Sequence, residues 1–134
     1  MAHLTIAYSA ILDQRVKIFA VVRAVHEAVL ATGFFDLKDV CTRAAAHEHY
    51  RIANSHAQYA FAHLTLQLAS GHTEKERKAA GEAAFKALCE QLAPVQSFKP
   101  VSISCEVQEM DANLYFQKSN LERWLKADKK KAAE

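Results

Sequence analysis

The sequence predicts an α+β fold in which two β-α-β units form a four-stranded sheet with two helices on one face. Three observations lead there. The tripeptide HLT occurs at residues 3–5 and again at residues 63–65. Each copy sits in a stretch of alternating apolar residues, the period of a strand with one buried face. Each stretch is followed by a segment with helical spacing, and then by a second stretch read as a strand.

In chain order, His3–Ser9 alternates, with Leu4, Ile6 and Tyr8 on one side and His3, Thr5 and Ala7 on the other. Residues 11–33 predict one helix of about five turns, with Leu12, Val16, Phe19, Val22, Val25 and Val29 as its apolar stripe. Gly33 suits the position just past its end. A second strand is expected near Val40–His47, and a third over Tyr59–Ala69. Thr73 and Glu76 form a T-x-x-E capping box that opens a second helix running to about Leu92. Phe85, Leu88, Cys89 and Leu92 mark its buried side, and Pro94 is expected to help stop it. In VSISCEVQE, Val101, Ile103, Cys105 and Val107 face one way. An extended piece near Leu114–Phe116 and a last helix around Leu121–Lys126 complete the reading. Residues 1–125 form one domain, with pseudo-repeats at about 2–50 and 58–110, followed by a basic, flexible tail at 126–134.

Composition narrows the function. The chain has 134 residues, with 17 basic and 15 acidic side chains. The stretch KADKKKAAE at 126–134 holds four of the lysines and two of the acids, so the remainder carries 13 of each sign. The basicity is therefore a property of the tail, and a nucleic-acid partner is not expected. No segment is apolar for long enough to span a bilayer. The three cysteines share no metal-binding spacing, and no leader peptide is visible at the start. That pattern points to reduced thiols and a cytoplasmic protein.

A helical crossover between consecutive strands favours a parallel pair inside each unit. The second sheet face then carries small and polar side chains, and another subunit is expected to cover it. The element order fits a ferredoxin-like sandwich or a pseudo-twofold tautomerase-type unit. The in-phase HLT repeat favours the second.

Two longer stretches, YAFAHLTLQLASGHTEKERKAAGEAAFKAL and VSISCEVQEMDANLYFQKSN, together with MAHLTIAYS and LATGFFDL, resemble the 5-carboxymethyl-2-hydroxymuconate isomerase family. The resemblance covers about residues 2–125. This family belongs to the tautomerase superfamily, with 4-oxalocrotonate tautomerase and macrophage migration inhibitory factor. It implies a homotrimer whose sheets wrap a central axis, a small carboxylate substrate, and no metal or cofactor. It also implies a catalytic N-terminal proline, exposed on removal of the initiator Met. The proline amine, its pKa lowered by apolar and cationic surroundings, shuttles a proton between two carbons of an unsaturated keto acid. Arginines grip the substrate's carboxylates.

Against that pattern the chain has Ala2 at the proline position, and Cys41 and His72 at two arginine positions. Arg43 is kept, two residues along the strand from Cys41. Phe116 and Asn120 match residues near the wall of the family's pocket. In a Met-trimmed chain the α-amine of Ala2, with an unperturbed pKa of roughly 7.7–8.0, is the expected base. Cys41 cannot hold a carboxylate as arginine does, and His72 does so only when protonated. An active enzyme is therefore expected to prefer a substrate with fewer negative charges than the family's own.

The alternative reading is a catalytically altered or inactive tautomerase-fold trimer that binds a small acid or a protein partner. A separate motif, HEHYR, puts His47 and His49 on one side of a strand, with His56 as a third candidate metal ligand; no metal site is expected from it. His3 and His63 are expected to be strand residues beside a subunit contact.

Overall fold

The computed structural model describes residues 1–55 and 58–133. These residues form four strands and three α-helices in the order β1 (Ala2–Ser9), α1 (Ile18–Ala31), β2 (Val40–His47), β3 (Ala60–Leu68), α2 (Glu74–Gln96), β4 (Val101–Glu109) and α3 (Leu121–Ala133). The sheet order is β2-β1-β3-β4. β1 and β2 are parallel, β3 and β4 are parallel, and the two central strands run antiparallel. Each unit is thus a parallel pair with a helical crossover, as the repeat predicted.

One face of the sheet is covered. Leu4 and Ile6 of β1 and Leu64, Leu66 and Leu68 of β3 are buried against Val21, Val25 and Val29 of α1 and Ala84, Leu88 and Leu92 of α2. The two helices also pack on each other. Gly81 lets α2 approach β4 closely, because a Cβ there would lie 2.6 Å from Val107 Cγ2. The capping box forms as expected. The Glu76 N–H donates to Thr73 Oγ1 at 3.1 Å, and the Thr73 N–H donates to Glu76 Oε1 at 3.3 Å. Among the described residues, no helix packs on the other sheet face. His3 and Thr5 (β1), Cys41 and Arg43 (β2), His63 and Thr65 (β3), and Ser104 and Glu106 (β4) lie on that side by register.

The first helix departs from the expected one. A 3-10 turn over Ala10–Gln14 precedes α1, and residues 15–17 break the two apart. The break has anchors on both sides. Tyr8 donates to Asp13 at 2.7 Å, Arg15 donates to Gln58 at 2.7 Å, and Leu12 plugs the core. Restarting at Ile18 sets the buried face at Val21, Val25 and Val29. Phe19 lies about 200° round the helix from Val21 and is 79% exposed. Phe19 therefore does not belong to the buried stripe.

Pro94 also fails to stop the second helix, which continues to Gln96. It sits in the last turn, where only one carbonyl loses its donor, and Val95 beyond it is held in the core. Phe85, expected on the buried side of α2, sits at its margin, 36% exposed, and Cys89 is half-buried. Leu114 belongs to a 3-10 turn over Ala112–Leu114, and the chain becomes extended only at Tyr115. The last helix runs past Lys126 to Ala133, through most of the segment expected to be a tail. Among the described residues, no helix is long and apolar enough to cross a membrane.

Candidate active site

β1 begins at Ala2, which pairs with Val40 on the helix-covered face and is 0% exposed. Met1 projects beyond it into a cleft of about 190 Å³, shared with Gly33, Phe35, Asp36, Ala69 and His72. Two loops build this cleft. After α1 the chain turns at Gly33, whose φ of +81° is a left-handed conformation that suits glycine. After β3 it turns at Gly71, with φ of +105°. These turns bring Phe35 and His72 into ring contact, with centroids 4.8 Å apart. His72 Nδ1 lies 3.7 Å from Glu76 Oε2. Lys38 sits between Asp36 and Asp39, at 3.6 and 3.0 Å. The hydrogen bond to Asp39 is the first cause of the raised pKa of that lysine.

A second cluster lies on the helix-free face. The parallel register sets His3 beside Cys41 and Thr5 beside Arg43. Arg43 Nη1 lies 3.2 Å from His3 Nδ1 and 3.9 Å from Cys41 Sγ. His3 Nε2 lies 3.1 Å from the Tyr115 hydroxyl, and the two rings meet edge to face. The His3 pKa is lowered, first by burial, then by the Arg43 guanidinium, then by the α-ammonium group of the chain. Among the described residues Arg43 has no carboxylate within ion-pair distance.

The six residues singled out from sequence divide into three groups. His72 lines the cleft, and Ala2 is buried one residue behind Met1, which also lines it. Cys41 and Arg43 share the opposite sheet face. Phe116 and Asn120 lie on the exposed C-terminal segment, with Phe116 86% exposed and the Asn120 carbonyl accepting from the Arg123 N–H at 3.2 Å. No hydrogen bond, ion pair or ring contact among the described residues joins Phe116 or Asn120 to the other four.

Sequence reasoning gave His3 no chemical partner and passed over Tyr115 and Phe35. His3 was legible in part, because it follows Ala2 and a parallel crossover sets it beside Cys41. Nothing local pairs residue 3 with residue 115. Of the metal candidates, His47 packs its ring 6.0 Å from Phe61, His49 is exposed, and His56 lies outside the described residues. Among the described residues no group of three His, Cys, Asp or Glu side chains is arranged to hold a metal ion. Cys41, Cys89 and Cys105 are free thiols.

Known proteins share this fold. The family model for 5-carboxymethyl-2-hydroxymuconate isomerase matches residues 2–125. The 5-carboxymethyl-2-hydroxymuconate Delta-isomerase of Escherichia coli is 24% identical over 121 residues, covering 90% of this chain and 96% of that one. The crystal structure of a 5-carboxymethyl-2-hydroxymuconate isomerase from Deinococcus radiodurans R1 is 26% identical with a TM-score of 0.86, covering 92% of this chain and 93% of that one. A fused 4-OT protein solved as a symmetric trimer shares the fold at 16% identity, with a TM-score of 0.63 over 87% of this chain and 93% of that one.

Proposed function

The chain belongs to the 5-carboxymethyl-2-hydroxymuconate isomerase family, and from that premise we propose that it is a tautomerase for a small unsaturated keto acid. It moves a proton between two carbons of that acid, using the α-amine of Ala2 in the Met-trimmed chain. The observation that carries this reading is the placement of Ala2. It is fully buried at the start of β1, and the chain leads from it directly into a cleft bordered by Phe35 and His72.

The chemistry follows from that position. A primary amine with an unperturbed pKa of roughly 7.7–8.0 needs only a modest downward shift to be a free base at neutral pH. In the allylic reaction the amine takes a proton from one carbon as the double bond shifts and returns it to another; in the enol-to-keto reaction the enol oxygen gives up its proton and the carbon gains one through the amine. Atoms and electrons balance within the substrate, so the overall change is an isomerisation. Arg43, with no carboxylate of its own, supplies a planar fork for the substrate's carboxylate. Cys41 and His72 stand where the family's arginine pattern places cations. The preferred substrate therefore carries fewer negative charges than a tricarboxylate. A homotrimer accounts for the polar, helix-free sheet face, and packing of copies on that face brings Arg43 of one subunit toward the cleft of another. The three free thiols suit a cytoplasmic enzyme.

An ultraviolet assay of enol-to-keto conversion on phenylenolpyruvate and 2-hydroxymuconate tests the reading, with each N-terminus checked by intact mass. Trimmed protein is expected to turn over phenylenolpyruvate, and chemical blocking of the amine is expected to abolish that turnover by about a hundredfold or more. A trimmed protein with no rate above the solvent background overturns the proposal.

A further inference from the structure

The helix-free cluster has a hydrogen-bond direction built into it. Arginine has only N–H donors, so the contact at 3.2 Å requires His3 Nδ1 to accept from Arg43. A neutral imidazole that accepts at Nδ1 carries its proton at Nε2. That N–H then donates to the Tyr115 oxygen at 3.1 Å. With its oxygen engaged as an acceptor, the tyrosine O–H is left to donate elsewhere. The Arg43 guanidinium keeps N–H groups free on the other side of the same ring. The two flanking groups are therefore both outward donors, one charged and one neutral, in a geometry fixed by His3.

We propose that Tyr115 is a specificity-determining residue that donates a hydrogen bond to the 2-oxo or enol oxygen of a keto acid whose carboxylate is held by Arg43, with His3 as the residue that positions both. The pairing matches the ligand class. A 2-oxo acid presents one charged and one neutral oxygen group on adjacent carbons, and a simple carboxylate presents only the first. The lowered His3 pKa agrees with an imidazole held neutral. The inference rests on the isomerase reading for its substrate class, but its test is a binding measurement that does not need turnover.

The probes are phenylpyruvate and 3-phenylpropanoate, which differ in the oxo group, titrated calorimetrically into the full-length protein. The wild type is expected to bind phenylpyruvate more tightly. Tyr115→Phe is expected to weaken phenylpyruvate by about fivefold to tenfold and leave 3-phenylpropanoate within about twofold, the scale of one hydrogen bond. Arg43→Gln is expected to weaken both. His3→Leu is expected to erase the preference as Tyr115→Phe does, although the hydroxyl is still present. His63→Asn, on the same sheet face, serves as the control and is expected to keep the preference.

A long-range proton–nitrogen spectrum is expected to show His3 in the Nε2–H form. An unchanged preference in Tyr115→Phe, equal losses for both probes, a His3 proton on Nδ1, or no binding of phenylpyruvate by the wild type overturns the proposal. Absent turnover with the preference intact removes the isomerase reading alone. Normal turnover with no preference removes the role of Tyr115 alone.

Discussion

The two β-α-β units use one plan with opposite chemistry. His3 of the first unit pairs in register with Cys41, and His63 of the second with Ser104; Thr5 pairs with Arg43, and Thr65 with Glu106. At equivalent places on the helix-free face the first unit thus carries a cation and the second a carboxylate. The imidazoles diverge with them. His3 bridges Arg43 and Tyr115, whereas His63 bonds Ser104 Oγ at 2.7 Å. The helices differ too. α2 has 23 residues and a complete capping box, while α1 has 14, starts after a break, and has Lys17 at its N-cap with no side-chain cap. The more regular unit carries the complete capping box, and the irregular one carries Ala2, Cys41 and Arg43 of the candidate site. A duplicated scaffold can hold its inward face constant, because both copies fill one core. Its outward face is free to diverge.

Substitutions in the two units sharpen that contrast. Leu88→Ala removes a fully buried side chain from α2 and is expected to cost about 2–5 kcal/mol in a denaturant titration. Phe19→Ala on α1 is expected to change stability by less than about 0.5 kcal/mol, since the ring is largely exposed. Equal losses would show that α1 buries its outer face in an assembly. Next in size, Arg43→Gln is expected to raise the KM for phenylenolpyruvate by about tenfold to a hundredfold, the range for a hydrogen-bonded charge. Glu106→Gln at the equivalent place is expected to leave KM within about twofold. A similar effect from both would erase the division of labour between the units.

The caps give a smaller, two-way test. Thr73→Ala is expected to lose about 1 kcal/mol by removing the oxygen that accepts from Glu76. Lys17 has extended backbone angles of the kind a cap needs, and Lys17→Ser is expected to gain up to about 1 kcal/mol. Both changes are read from the midpoint of thermal unfolding.

The pH dependence is the smallest effect and also divides by unit. His3 in the folded chain has a pKa below its ordinary 6.5. As pH falls through 6.5 the unfolded chain takes up that proton first, so stability declines toward the lowered folded value. His3→Gln is expected to flatten that acid slope. Cys105 behaves in the opposite sense. Burial and its neighbours push its thiol up to about 11 from 9.0. Its contribution is complete below pH 9 and is lost as pH rises from 9 toward 11, so Cys105→Ala is expected to flatten the alkaline limb.

Much of the fold was legible because burial imposes a period. Leu4, Ile6, Leu64 and Leu66 alternate, and the residues between them all reach the helix-free face. The capping box was legible because its two partners are three residues apart. The break at residues 15–17 was not. It depends on Tyr8 reaching Asp13 and on Arg15 reaching Gln58, and the second contact joins different units. Phe19 was misread because a helical stripe drawn through a break keeps the wrong phase. Pro94 was misread because a proline near a helix end costs little when the following residue is held in the core.

The site was legible only as separate residues. The sequence by itself determined the two-unit sheet, the alternation that buries Leu4 and Ile6, and the position of Arg43 two residues along one strand from Cys41. Those depend on local period and spacing, which a linear chain records. Only the tertiary structure decided that Met1 and His72 share a cleft, that Cys41 and Arg43 lie on the helix-free face, and that Tyr115 meets His3 across 112 positions. Such contacts are made by packing distant segments together, and no local pattern in either segment specifies its partner.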